Sequence, residues 1–343
     1  MTKREFIDAL NARTGGLPQA ERERLAAYFA EIIDDRMEDG VPEAEAVAAL
    51  GSLDELIREL APGEGALAPQ APEGETVEAL RSLSVSVRHA DVTLRQAALG
   101  NGAAAQIRFS NPERFAWRMN GDALEITENA EEPKRGLFGL LELGTRNLET
   151  VTVTLASGLE GAVNCSSAAG DLIADGLESA GPMDLSSKSG DVKLRGCACA
   201  GGLRVRSASG DVDAREVRCG EMALSTVSGD VEIDRGQTGS ASVRSVSGDV
   251  RIDELTCDDR LTVETASGDI DLARCVAPAI QLNAVSGDIE ARVPNRAGKC
   301  SFNADTRSGR IRLPREWTPT DSETECRVGA RTVSGDITIT IVE

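Results

Sequence analysis

The sequence predicts a mainly β fold: a parallel β-solenoid with two short strands in each repeat of about twenty residues, preceded by a small α-helical bundle. Three observations carry this. Glycines at 170, 190, 210, 229, 248, 268, 287, 309 and 335 are separated by 20, 20, 19, 19, 20, 19, 22 and 26 residues, the periodicity of a repeat architecture. Aligned on those glycines, two columns are free of charge, as inward-facing strand positions are. Residues 2–61 instead place apolar side chains three and four apart, the spacing of amphipathic helices. Composition agrees, because only 3% of 343 residues are aromatic while 34 are glycine, which suits narrow stacked layers better than a bulky globular core.

The helical part opens with Thr2 and Glu5, spaced as a capping box in which hydroxyl and carboxylate satisfy the first free backbone N–H groups. Phe6, Ile7 and Leu10 then form an apolar stripe ending at Gly15 and Gly16. A second helix is predicted from Pro18 to Gly40, with Leu25, Tyr28, Phe29, Ile32, Ile33 and Met37 on one face. A third runs from Pro42 to Leu50. Ser52 and Glu55 cap a fourth that carries Leu53, Leu56, Ile57 and Leu60.

These pieces, "REFIDAL", "LPQAERERLAAYFAEIIDD", "MEDG" and "ALGSLDELIREL", resemble in order and spacing the HAAS signalling domain of bacteria. The resemblance implies a small signalling module found beside PadR-like regulators and attached to membrane or β-repeat domains, with no chemistry of its own. Residues 1–61 are therefore expected to bind a protein partner, either a PadR-like regulator or a membrane protein. Residues 62–75, rich in Pro, Gly and Ala without periodicity, are expected to be a linker, and residues 76–343 the solenoid.

Two places after each repeat glycine stand Leu172, Val192, Val212, Val231, Val250, Ile270, Ile289, Ile311 and Ile337. Five places before it stand Cys165, Leu185, Val205, Leu224, Val243, Val263, Leu282, Ala304 and Ala330. Both columns are expected to face inward, on two strands joined by a Ser-Gly-Asp turn whose glycine supplies positive φ. One-sided strands of this kind bury best by stacking on the next repeat, and a right-handed coil is the default for parallel crossovers. Three places before the glycine, Ser167, Ser187, Ser207, Thr226, Ser245, Thr265, Thr306 and Thr332 form a hydroxyl column broken by Ala284, expected to donate along the ladder at a spacing of about 4.8 Å. Residues 76–159 read as a degenerate version of the pattern with loops such as 128–147, and the final "DITITIVE" as a strand that blunts the open end. The "SGDV" and "SGDI" motifs resemble a bacterial β-strand-repeat family of unknown function labelled as candidate adhesins. That resemblance implies a β-solenoid loosely associated with cell-envelope stress systems and no catalytic residues to transfer.

Charge narrows function further. Fifty-seven acidic against 37 basic side chains leave a formal net charge of -20, which disfavours nucleic acid and anionic lipid. Met1 to Leu10 carries Lys3, Arg4, Glu5 and Asp8 where an export signal would be apolar, and no window is long and apolar enough to span a membrane. A cytoplasmic protein is expected, or one peripheral at the inner face of the membrane. Its eight cysteines are then expected as free thiols. Cys165, Cys197 and Cys275 fall in aliphatic columns; Cys199, Cys219 and Cys257 share an offset nine places after their glycines, where a buried structural role outweighs a metal or redox pair.

The aspartates at 171, 191, 211, 230, 249, 269, 288 and 336 are read as turn chemistry rather than a calcium edge, because calcium-binding repeats use a shorter, glycine-richer unit. Arg310 replaces Asp once and is expected to interrupt the row. His89 is expected on a strand surface. Trp117 and Trp317 are too few to stack a sugar chain. No catalytic, cofactor or metal residues are assigned. The leading expectation is a non-enzymatic protein-interaction scaffold in envelope stress signalling, ahead of a polysaccharide-acting enzyme and a surface adhesin.

Overall fold

In the computed structural model the chain divides into two compact units, Met1–Pro72 and Glu73–Glu343. The structure describes residues 2–13, 26, 29–30, 33, 42–43, 47, 74–99, 102–129, 148–294, 300–314 and 326–342. The fourth expected helix, most of the expected linker, most of the 128–147 insertion and Trp317 lie outside the described residues.

In the first unit, α1 (Lys3–Arg13) starts at the capping box that the residue types predict. The Thr2 amide donates to Glu5 Oε2 at 2.9 Å and the Glu5 amide to Thr2 Oγ1 at 3.2 Å. Phe6 and Leu10 are fully buried, while Ile7 is half-buried. The Phe6 ring meets Phe29 edge-on at 5.6 Å, and Ile33 and Val47 complete the buried set. Residues 26, 29, 30, 33, 43 and 47 are helical.

The second unit is one 23-stranded sheet wound into stacked layers. It opens with β1 (Glu75–Val77), β2 (Ser82–Ser86), β3 (Ala90–Gln96), β4 (Ala105–Phe109), β5 (Phe115–Asn120), β6 (Ala123–Glu128) and β7 (Glu149–Leu155). The repeats proper follow as β8 (Val163–Ser167), β9 (Leu172–Asp175), β10 (Glu178–Ser179), β11 (Met183–Ser187) and β12 (Val192–Arg195). Long bent strands come next: β13 (Ala198–Ser207), β14 (Val212–Ser225), β15 (Val231–Ser245) and β16 (Val250–Ser267). The last are β17 (Ile270–Ala273), β18 (Ala279–Ser286), β19 (Ile289–Pro294), β20 (Cys300–Ser308), β21 (Ile311–Arg312), β22 (Cys326–Ser334) and β23 (Ile337–Val342).

The two strands flanking each Ser-Gly-Asp turn pair in parallel and in register with those of the next layer. Leu172, Val192, Val212, Val231, Val250, Ile270 and Ile289 are successive partners in one column. A short third segment, represented by β10, by Val217–Cys219 within β14 and by the bridge of Thr256 to Val276, adds a third side to the coils between Leu159 and Val276. The aliphatic columns fill the interior, as one-sided strands must when only stacking can bury them.

Chain order and layer order part company at both ends. At the start, β2 and β3 are sandwiched between β8 and β9 on one side and β6 and β7 on the other. The first layers are then flanked by antiparallel partners, β5 on β6, β4 on β7 and β1 on β4, so residues 76–159 are not simply a degenerate parallel repeat. Phe109 and Phe115 stack there at 5.2 Å. At the other end β22 and β23 insert between β18/β19 and β20/β21. The strand expected to blunt the open end is therefore internal, and β20 and β21 form the last layer. Ile311, in an inward column, is consequently 42% exposed, and Ala304 is half-buried.

Candidate functional site

The Ser-Gly-Asp corner is where polar groups converge in every layer, and three ladders run through it. Glycine is required by close approach rather than by the positive φ expected from the turn. The φ values at Gly170, Gly190, Gly210, Gly229, Gly248, Gly268 and Gly309 are not positive; only Gly287 and Gly335, at 157° and 155°, have the positive φ that was expected, in addition to the close approach. A Cβ on Gly210 would instead stand 2.1 Å from the carbonyl oxygen of Gly190, and on Gly229, Gly248 and Gly268 it would stand 2.2, 1.9 and 2.2 Å from the oxygen one layer back. The same holds at Gly170, Gly190, Gly287, Gly335 and Gly309, whose contacts give the layer order 170, 190, 210, 229, 248, 268, 287, 335, 309.

The aspartates form the second ladder. Asp91 Oδ1 accepts the Asp171 amide at 2.8 Å, Asp171 accepts Asp191 at 2.9 Å, Asp191 accepts Asp211 at 3.0 Å, and Asp211 accepts Asp230 at 2.9 Å. It continues through Asp249, Asp269, Asp288 and Asp336, and ends where the Arg310 amide donates to Asp336 Oδ1 at 2.8 Å. Arg310 does not interrupt the row. It terminates it: among the described residues no further layer follows to supply an amide for a carboxylate to accept from.

The hydroxyl column donates to glycine carbonyls one layer back instead of to the next hydroxyl. Ser187 Oγ reaches Gly170 O at 3.2 Å, Ser207 reaches Gly190 at 3.2 Å, Thr226 reaches Gly210 at 3.1 Å and Thr332 reaches Gly287 at 3.1 Å. The amides of Gly190 and Gly210 donate back to Ser187 and Ser207 at 2.9 Å. Ala284 leaves the Gly268 carbonyl without this donor. One place further along the turn, a solvent-facing row runs through Ala208, Val227, Val246, Ala266, Val285 and Val333, with the valines 50%, 44%, 54% and 46% exposed.

A second corner lies six places after each turn glycine and carries left-handed backbone: Gly176, Gly196, Glu216, Arg235, Glu254 and Arg274, with φ from 63° to 53°. Once glycine gives way to side chains, their charges alternate. Arg235 pairs with Glu216 at 2.9 Å and Arg274 with Glu254 at 3.0 Å. Sequence reasoning missed this corner because four of six positions lack glycine.

None of the eight cysteines forms a disulfide. Cys197 and Cys275 are buried donors to backbone carbonyls, Cys197 Sγ to Ala174 O at 3.4 Å and Cys275 Sγ to Ala273 O at 3.3 Å. Burial pushes the thiols of Cys165, Cys257 and Cys275 up to about 12. Cys199 and Cys219 are in-register partners on β13 and β14, and Cys300 and Cys326 on β20 and β22. Cys199 and Cys219 wall an open groove of about 620 Å³ shared with Ser179, Arg218, Thr238 and Asp258.

His89 is exposed but lies in the bend between β2 and β3, not on a strand, because His89-Ala90-Asp91 occupies the place of Ser-Gly-Asp. Its amide donates to Glu128 Oε2 at 2.9 Å. Trp117 packs half-buried against the core. Among the described residues no three His, Cys, Asp or Glu side chains are grouped to hold a metal ion, and no helix is long and apolar enough to cross a membrane.

Comparison with known proteins adds two family matches: Toastrack DUF4097 over residues 80–340 and HAAS over residues 5–59. No curated protein matches. Two solved structures are similar. A candidate adhesin of Bacteroides fragilis NCTC 9343 is 13% identical, with 78% of this chain and 94% of that chain covered at a TM-score of 0.40. A candidate cell adhesion protein of Clostridium sporogenes ATCC 15579 is 11% identical, with 79% and 98% covered at a TM-score of 0.21.

Proposed function

The chain belongs to the Toastrack DUF4097 family, and from that premise we propose that it is a non-enzymatic protein-interaction scaffold that works in bacterial cell-envelope stress signalling. In this reading the solenoid is a stiff platform, and residues 1–61 dock a protein partner, a PadR-like regulator or a membrane protein, at the cytoplasmic side of the membrane. The observation that carries the reading is the amide-to-carboxylate ladder. The one repeated acidic motif, which could have supplied a general acid, a base or a cation edge, has an Oδ1 of each aspartate from Asp91 to Asp336 engaged in holding the next layer. Repeated carboxylates used in this way stiffen a rod rather than form a reactive cluster. The exposed valine row beside the ladder supports an interaction role, since apolar side chains aligned on a surface mark contact sites more often than they serve solubility.

The test is affinity purification from native cells of the full chain and of residues 73–343, the second compact unit. The proposal expects a regulator or membrane protein with the full chain that is lost from the shorter one. Recovery of the same proteins by both, or of a polysaccharide by either, would overturn it.

A further inference from the structure

The groove at the third side of the coil contains a pairing that neither family match nor the scaffold reading uses. Nine places after the turn glycines stand Ser179, Cys199, Cys219, Thr238, Cys257 and Ala277, a column of small side chains. Where this column is hydroxyl-bearing it is structural: Ser179 Oγ donates to Gly161 O at 2.8 Å and Thr238 Oγ1 to Ser240 O at 3.0 Å. A serine or threonine in every layer would suffice for that. Two consecutive layers carry cysteine instead, as direct Cα partners across adjacent parallel strands. Neighbouring strands lie about 4.8 Å apart, inside the range of roughly 4.4–6.8 Å that a disulfide spans between Cα atoms. Cys257 is separated from Cys219 by Thr238 and so lies two layers away, out of reach.

The two thiols are not equivalent. Both line the groove together with Arg218 and Asp258, but Cys219 is half-buried while Cys199 is only 3% exposed. The Cys199 and Cys219 thiols are hydrogen-bonded to each other, and Cys219 Sγ donates to Thr238 Oγ1 at 3.5 Å. These contacts hold the Cys219 thiol below its ordinary range, whereas its bond to Cys219 and burial raise that of Cys199. A half-buried thiol lining a groove, paired in register with a buried thiol on the adjacent strand, has the arrangement of an attacking and resolving pair.

We propose that Cys199 and Cys219 form a reversible oxidation site that takes low-molecular-weight disulfides from the groove and staples two layers of the solenoid together. The Cys219 thiolate attacks one sulfur of the small disulfide, breaking its S–S bond, forming a mixed disulfide and expelling one thiolate, which takes up a proton. Cys199 then loses its proton to solvent and attacks the Cys219 sulfur, expelling the second small thiol and closing the Cys199–Cys219 bond. Two protein thiols are oxidised and one small disulfide is reduced to two thiols.

The test equilibrates the full native chain with glutathione and glutathione disulfide over a range of ratios, quenches with acid, alkylates free thiols and maps the peptides by mass spectrometry. A Cys199–Cys219 cross-link that grows with the oxidising ratio, and is lost on return to the reducing one, is the expected result. Cys199→Ser should leave Cys219 carrying one glutathione, and Cys219→Ser should leave Cys199 unmodified. Thr238 shows that this column accepts a hydroxyl, so both variants retain the native column chemistry. Recovery of both thiols alkylated at the most oxidising ratio, or of a bare Cys219 in the Cys199→Ser chain, would overturn the proposal.

Discussion

Replacing Gly210 by alanine tests whether the turn glycines serve close packing between layers. The added Cβ would stand 2.1 Å from the Gly190 carbonyl oxygen and 2.4 Å from its carbon, where real Cβ contacts essentially never fall under 3.0 Å. The obstacle is backbone on both sides, so relief requires the two layers to separate by about 1 Å against a strand spacing of about 4.8 Å. That separation strains three hydrogen bonds at once: Ser207 Oγ to Gly190 O at 3.2 Å, the Ser209 amide to Lys188 O at 3.1 Å, and the Asp211 amide to Asp191 Oδ1 at 3.0 Å. At about 1 kcal/mol each, the loss is about 3 kcal/mol before any packing defect under Val192 and Val212. The control is Gly196→Ala, where the nearest heavy atom to an added Cβ is 4.0 Å away and only the left-handed φ of 59° opposes the side chain, at about 1 kcal/mol. Urea unfolding and amide exchange of both variants of the solenoid unit make the comparison. Should Gly210→Ala cost no more than Gly196→Ala, or should exchange leave the amides of layers 190 and 210 as protected as before, the glycine ladder is refuted.

Ala284→Thr restores the missing donor to the Gly268 carbonyl and should raise stability by about 1 kcal/mol in urea unfolding; a loss of stability would show the site too tight for the hydroxyl. Gly196→Val adds a β-branched side chain to left-handed backbone and should cost more than Gly196→Asn, the two being compared by thermal unfolding. The thiols of Cys165, Cys257, Cys275 and Cys326 are pushed by burial from 9.0 up to about 12. In that window the unfolded chain has released these protons and the folded chain has not. Stability is fully present below pH 9.0 and falls as pH rises toward about 12, by about 1.4 kcal/mol per pH unit for each thiol. Urea midpoints measured across that window should show a slope that Cys165→Ala reduces by one thiol's share, and an unchanged slope would contradict the burial argument.

The aliphatic columns and the capping box were legible because they follow from period alone: side chains facing one way every second residue, and Thr2 three residues before Glu5. The layer order was not, since β18, β20 and β22 carry the same pattern and any of them could stack on any other. The residues that mark the ends are the exceptions. Arg310 replaces aspartate in the layer with no described layer beyond it, and Ala90 replaces glycine where the layer before, β6 and β7, is joined through residues 129–148 and not by a Ser-Gly-Asp turn. Both were present in the sequence, but their meaning depends on knowing which layer each belongs to. The left-handed corner stayed hidden for a similar reason: glycine at 176 and 196 signals it, and charged residues held by cross-layer ion pairs take over from 216 onward. The groove at Cys199 and Cys219 was within reach, because their shared offset from Gly190 and Gly210 already makes them stacked neighbours.

The scaffold reading needs a continuous rod whose layers run 268, 287, 335, 309, and cysteine cross-linking measures that order directly. Ser286 is the Cα partner of Ser334, and Ser334 of Ser308. Ser286 and Ser308 are thus two layers apart, about 10 Å at 4.8 Å per layer, beyond the roughly 7 Å at which a disulfide closes. Under mild oxidation the account predicts that Ser286→Cys with Ser334→Cys forms the 286–334 bond and that Ser286→Cys with Ser308→Cys forms none. A 286–308 bond in place of 286–334 would put the layers back in chain order, and with them would fall the continuous ladder from Asp91 to Arg310.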